Sequence, residues 1–543
     1  MMLKFLAGSR NPDRKECAAA AKPATGIGWE RLLFAGAVAG AVMVILIVSA
    51  TAILMRTAGK SPVRAAPFVA LGTLVLALAL IPLGRRNSGP LPAIARRFPP
   101  DMDGSFRRRP VVACLAGALV IIGVLQTARQ SCFMADPTLR WASAYPPQEF
   151  GFRHMCISSY VYAGELARRG VPNVYAAEHY PAFDFLSPGT IAARSSTVKN
   201  LLPHLRDAYE YPPPFLLLPG AALALTNDFL VIRTGWYMIQ APLFIILALA
   251  LARHVGGRRG TTAAVLVFGL LSSFSVLFNF QFGQFHLAAI LLAAGGMLAF
   301  SNRRDILGGA LLASAIVTKV FPGLLLVYLA LRKRSRAISW TVAFSAAYSL
   351  LALLIFGFAP YRSFIGYQLP RILSGEAFSF FKNSDLTIAA NASVYSIPFK
   401  LQRLGVPGMS DGLAIGLVWL FTALLVAATV VAARRRRDSS LEPAVWLALL
   451  ALCSLRSPDA PNVYIGAAAL WALSLLATET RGRIAAVGLF VLAWICMTVQ
   501  PPLPDPKATI ALWMSGQAAI LAFGFWVMLR RQAESGEAVS SGS

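Results

Sequence analysis

The chain has 543 residues, of which 57% are hydrophobic and 14% charged, with a mean hydropathy of +0.62. That excludes an ordinary soluble domain, in which about a quarter of the residues are charged. A formal charge of +26 could suit nucleic acid, but the basic residues fall between apolar runs, the signature of cytoplasmic loops beside a bilayer.

Residues 1–31 are polar and basic and lack the apolar core of a cleaved signal. The run 32–56 is too long for one and reads as a signal anchor. Full spans are expected at 32–56, 67–83, 110–127, 230–251, 261–279, 284–301, 338–358, 411–433, 441–455, 461–477, 483–499 and 508–529. The reading is an all-α polytopic transmembrane protein of about 12 spans plus short or re-entrant helices. Basic clusters at Arg85–Arg86, Arg96–Arg97, Arg107–Arg109, Arg303–Arg304, Arg332–Arg336 and Arg434–Arg437 set the inside. Both termini, 531–543 included, then lie in the cytoplasm, and loops 128–229, 359–410, 456–460 and 500–507 lie outside. The run 306–331 begins and ends beside basic clusters, so it folds as a hairpin with its tip at "TKVFPG". The short run 214–227 reads as re-entrant; making it a full span would invert the 253–260 loop, against the charge pattern.

Within these runs Gln284, His286 and Lys319 stand out. Each ionisable group near a helix centre costs roughly 2.5–3.5 kcal/mol on insertion scales. Two readings stay open: they sit at the interface, Lys319 snorkelling, or they line a polar pocket. The six cysteines form no CxxC, and the five histidines fall at no zinc-site interval, so no metal and no cofactor is expected. Cys132 and Cys156 share the first external loop, where a bridge is chemically possible. The Asn391 sequon "NAS" is too short a pattern to carry weight.

The loop 128–213 is too long for a simple connection. Its "SSYVYAGELARRG" reads as an amphipathic interfacial helix, with Tyr160, Tyr162 and Ala163 on one side and Glu165, Arg168 and Arg169 on the other. Gly170 stops it, and the triple proline 212–214 fixes an extended approach to the next helix.

"SSYVYAGELARRGVPNVY", "YEYPPPFLLLPGAALAL" and the stretch from "GQFHLAAILL" to "TKVFPGLLLVYLALRKR" together resemble glycosyltransferase family 87, of the GT-C architecture. "NASVYSIPFKLQRLG" and "LRSPDAPNVYIG" resemble that family's later Asn-x-Ser and Ser-Pro segments, so the resemblance covers about 110–500. It makes 110–530 the transferase domain and 32–109 a two-span N-terminal addition. It implies inverting transfer of a hexose, typically mannose, from a polyprenyl-phosphate carrier to a glycolipid or glycan outside the plasma (inner) membrane. The implied site has a carboxylate base on the first external loop, cationic groups for the leaving phosphate and polar groups for the sugar. Tyr160, Tyr162, Tyr211, Gln284, His286, Lys319, Arg362 and Arg371 are the binding candidates.

This chain departs from the family pattern in places. Cys156 stands about where the family keeps its acid, and His286 replaces the commoner asparagine. Asn391 is followed by Ala392 and Ser393 without the usual glutamine, and Asp459 and Asn462 occupy the turn that typically leads to a histidine. For the base, Glu178, Asp184, Asp207 and Glu210 are set aside because they lie beyond the tyrosine-rich helix, and Glu165 because it can pair with Arg168 or Arg169. Glu149, flanked by Phe150 and Phe152, is the first choice and Asp136 the second. The competing functions are a flippase for a lipid-linked sugar and an inactive scaffold. Polar residues gathered in loops, with no internal repeat, favour the enzyme over the transporter.

Overall fold

The computed structural model describes residues 27–83, 90–99, 102–104, 110–144, 152–180, 195–435, 438–480, 484–498 and 503–530. Glu149, Asp184 and the arginines at 85–86, 107–109 and 436–437 lie outside the described residues. The longer helices are α1 (Trp29–Thr57), α2 (Ala65–Leu83), α3 (Pro110–Ala135), α4 (Ile157–Arg168), α5 (Leu217–Leu225) and α6 (Phe229–Val255). They continue as α7 (Gly257–Ser272), α8 (Phe274–Phe282), α9 (Phe285–Ser301), α10 (Asp305–Thr318), α11 (Leu324–Leu331) and α12 (Ser335–Phe356). The last are α13 (Asp411–Arg434), α14 (Glu442–Ser454), α15 (Asn462–Leu476), α16 (Ile484–Thr498) and α17 (Pro506–Leu529). Among the described residues there is no strand, only isolated bridges at Lys199–Asp228 and Asn391–Pro461.

Each expected apolar run is a helix, with ends set by local chemistry. Asp228, Ser273, Ser410 and Asp505 cap α6, α8, α13 and α17 by accepting backbone N–H bonds. The expected count of about 12 spans is not met by length alone. Six described helices are long and apolar enough to cross a bilayer, or seven if α7 and α8, bent by 56° at Ser273, form one span. Shorter apolar helices such as α9, α14 and α15 lie inside the bundle instead. They are buried on nearly every face, whereas α12 buries only Ala337, Thr341 and Ala352 and α16 only Met497. Outward apolar faces of that kind belong in hydrocarbon.

Lipid supplies no hydrophobic drive between helices, so small residues set the close contacts. A Cβ added to Gly309 of α10 would lie 2.5 Å from the Trp340 Cβ of α12. The expected hairpin forms: α10 ends at Lys319, Pro322 sits in the break, and α11 carries Arg332 back to pair with Glu442. Its arms splay, α11 packing chiefly against α13.

The N-terminal segment is built into the bundle. α1 packs against α3 and α6, and Arg31 Nε donates to Asp103 at 2.6 Å. The interfacial reading of the tyrosine-rich helix is overturned, because α4 is buried from Ile157 to Ala167. Glu165 is covered by the returning loop, while Arg168 and Arg169 stay exposed. Glu165 accepts bonds from Ser196 Oγ (2.6 Å) and from Thr197 N (2.8 Å) and Oγ1 (2.9 Å), while Arg169 stands 3.8 Å away.

Candidate active site

α4, the loop 204–212, the α8–α9 turn, the α10–α11 break, the segment 364–391 and the turn 455–461 enclose a cavity of about 1050 Å³. One part is apolar, walled by residues such as Phe274, Phe278, Phe364, Val327 and Leu425. The other gathers Asp207, Glu210 and Asp459 with Lys319 and Arg371. An apolar site with a few converging polar groups is the usual form of a ligand pocket.

The α8–α9 turn reaches the cavity because Gly283 adopts φ +62° and lacks a side chain; a Cβ there would lie 2.8 Å from the Ile157 Cβ. Gln284 follows in extended conformation. The Tyr160 and Tyr211 hydroxyls each approach its Oε1 at 2.8 Å and each other at 2.7 Å, so two phenol protons serve three contacts. The amide Nε2 of Gln284 donates towards Cys156 Sγ at 3.6 Å. His286, one turn on, stacks on Phe321 and meets Ser454 Oγ at 3.1 Å.

The opposite wall is held by a latch between two distant loops. Asn391 Nδ2 donates to Pro458 O at 2.9 Å, and its Oδ1 accepts from Ser393 N (2.9 Å) and Ala460 N (3.0 Å). Ser393 Oγ also donates to Pro458 O, and Ala392 N to Ala460 O. The buried Asn391 is thus a structural bracket that presents Asp459 to the cavity.

Burial lifts the Asp459 carboxyl to about 7, the charge of Asp207 adding to the rise and Lys319 opposing it. Burial also pushes Glu210 well above the usual carboxylate range, with Asp459 and Asp207 adding and Lys319 and Arg371 opposing. Lys319 Nζ stands 4.9 Å from the centre of the Tyr211 ring and has no ion pair among the described residues. Arg371 is partly committed, to Glu376 at 2.8 Å and to Tyr367 Oη at 2.9 Å.

Of the residues singled out from sequence, Tyr160, Tyr211, Gln284, His286, Lys319 and Arg371 line this cavity. Tyr162 and Arg362 do not; Tyr162 packs edge-on against Tyr180. Asp136 lies elsewhere, paired with Arg56 at 3.0 Å and bonded by Thr138 N and Oγ1. Cys132 and Cys156 are separate free thiols. Sequence reasoning passed over Asp207 and Glu210 because they lie past α4 in the chain, yet the loop folds back across it. The signal was present in "DAYEYPPP", where acids stand among aromatic residues and a rigid proline run. His154 was missed outright. Its Nε2 lies 3.2 Å from Cys156 Sγ and 3.3 Å from Asp207 Oδ2, at the edge of the cavity.

The profile of glycosyltransferase family 87 matches residues 209–458, a little under half of the chain, and this match supports membership of that family and a glycosyltransferase activity. The match begins at Tyr209 and ends at Pro458, so it takes in the Lys319 break and the Asn391–Pro458 contact, while Asp459 and Ala460 lie just past its end. No curated protein and no solved structure matches the chain.

Proposed function

We propose that the enzyme moves a hexose, mannose first among candidates, from a polyprenyl-phosphate carrier to a glycolipid or glycan acceptor, inverting the anomeric centre. The observation that carries this is the cavity itself, where Lys319 without an ion pair faces Glu210 and Asp459 beside a long apolar wall. A prenyl chain needs such a wall, and a leaving phosphate needs fixed positive charge in a site of low dielectric constant. The active-site side is the extracytoplasmic face of the plasma membrane, supported by the basic clusters on the opposite loops.

The residues divide the work as follows. Asp459, with its carboxyl near 7, takes the proton of the acceptor hydroxyl as the new carbon–oxygen bond forms at the anomeric carbon. The bond from that carbon to the phosphate oxygen breaks, and its electron pair leaves on the phosphate, which Lys319 and Arg371 neutralise. Glu210, whose carboxyl burial pushes well above the usual carboxylate range, can when protonated donate a hydrogen bond to a sugar oxygen. The Tyr160–Tyr211–Gln284 triad fixes the pocket floor against the reacting sugar. The base is assigned here to Asp459 over Asp136, which is committed to Arg56, while Glu149 lies outside the described residues and stands as the alternative base.

The test is to incubate membranes containing the protein with a panel of polyprenyl-phosphate sugars and to measure released polyprenyl phosphate and glycosylated acceptor. Release with one sugar supports the reading. Silence across the panel from a correctly inserted protein removes it. Cysteine labelling should place residues near 200 and 380 outside and residues near 334 inside; the reverse would move the chemistry to the other face.

A further inference from the structure

We propose that His154 Nε2, Cys156 Sγ and the Asp207 carboxylate form a binding site for a zinc-class divalent cation, with its fourth coordination position open to the cavity. The three ligand atoms lie within 4.8 Å of one another. The nitrogen stands 3.2 Å from the sulfur and 3.3 Å from the carboxylate oxygen. A tetrahedral zinc with bonds of about 2.0–2.3 Å sets its ligand atoms roughly 3.3–3.6 Å apart. The observed edges through the nitrogen already have nearly that length, and occupancy needs the sulfur–carboxylate edge, within 4.8 Å, to close to about 3.6 Å.

The fold builds this arrangement from two segments. His154 and Cys156 are buried side chains immediately before α4, whereas Asp207 comes from the returning end of the same loop. The junction is pinned by Ser158 Oγ, which donates to His204 O at 2.8 Å. Cys156 begins the buried helix that also supplies Tyr160, so the ligands stand on supported backbone.

The surroundings of the sulfur are a second, independent observation. Gln284 Nε2 donates towards it at 3.6 Å, and the Tyr464 hydroxyl lies 3.4 Å away. An amide donor and a hydroxyl able to donate beside one sulfur suit a thiolate that shares its charge with a metal, as outer hydrogen bonds to ligand atoms commonly do. Imidazole, thiolate and carboxylate together select zinc or cobalt over magnesium. Three protein ligands with an open fourth position is the arrangement of catalytic rather than structural zinc. Binding of the cation stands apart from the transferase reading. Its use, drawing an oxygen of the donor phosphate into the open position, rests on that reading.

Cobalt(II) is the probe. The full-length protein, purified in detergent and stripped with a chelator, is titrated with cobalt and followed by absorbance. One equivalent should bring visible d–d bands of tetrahedral strength and a near-ultraviolet thiolate-to-cobalt band. Cys156→Ser should remove the near-ultraviolet band, and Asp207→Asn should weaken uptake at least tenfold. Serine variants of Cys17, Cys114, Cys132, Cys453 and Cys496, of which Cys453 lines the same cavity, should each leave both signals intact, showing that no other thiol is the ligand. No uptake by the native chain, or an unchanged near-ultraviolet band in Cys156→Ser, overturns the site. If Cys156→Ser fails to assemble, retention of full affinity in Asp207→Asn overturns it instead. A protein that binds cobalt with this signature and transfers no sugar refutes the proposed function alone. One that transfers sugar but never binds cobalt refutes this inference alone.

Discussion

Asp136 sits beside Pro137 just past α3, and Asp459 sits beside Pro458 just past α14, yet the two carboxylates have opposite surroundings. Asp136 is buried against Arg56 at 3.0 Å and accepts two bonds from Thr138, so its oxygens are committed. Asp459 faces a cavity with Asp207 as a like-charged neighbour, and Lys319 is shared between Asp459 and Glu210. A carboxylate given its own guanidinium is a strut between helices. One left in a dry pocket among other acids titrates near neutrality and can exchange a proton with a substrate. The difference comes from what the fold brings to each position, because their local sequences are alike.

The sharpest way to break this comparison is to neutralise each acid in turn. Asp459→Asn should lower transfer by about 10²–10⁴-fold at normal membrane levels, the range of a lost general base. Asp136→Asn should leave the rate per folded molecule unchanged and lower thermal stability in detergent by about 1.5–3 kcal/mol, the scale of a bond to a charged group. Finding the two effects exchanged would reverse the assignment.

The charge opposite the acids comes next. Lys319→Met should cost about 10²–10³-fold in turnover if it steadies the leaving phosphate, with Lys319→Arg recovering part of the loss. Full turnover in Lys319→Met would make the lysine an anchor only.

The pH profile sharpens the contrast further. Asp459 is protonated below about 7 and ionised above it, so a base role requires activity to rise with pH through that region. The expected slope is about tenfold per pH unit on the acid side. A profile of turnover against pH that stays flat from 5 to 8 would show that this carboxyl does not take the proton. The same profile recorded for Asp459→Asn should lose the limb near 7.

The smallest effect is expected at the latch. Asn391→Ala leaves Asp459 in place chemically but frees the turn that carries it, so turnover should fall by roughly tenfold with little change in KM for the donor. Asn391 is a positioning residue, and an equal rise in KM would point to general loosening of the pocket instead.

The sequence by itself determined the class, the helices and the basic side of the molecule, because hydropathy and charge act locally along the chain. It also singled out Gln284, His286 and Lys319 as polar groups inside apolar runs, with an interface or a pocket as their two open places, and all three line one cavity. Only the tertiary structure decided which acids matter. Cys156, Asp207, Gln284, Lys319 and Asp459 meet although they span some 300 positions of chain. Their meeting depends on close fits between helices and on the Asn391 latch, which hydropathy does not report. Tertiary packing also buried α4 from Ile157 to Ala167, a segment that reads as an interface helix until the loop at Ser196 and Thr197 covers Glu165. A side chain's role here follows from its spatial partners, and partners fixed by long-range packing leave almost no trace in the residues on either side of it.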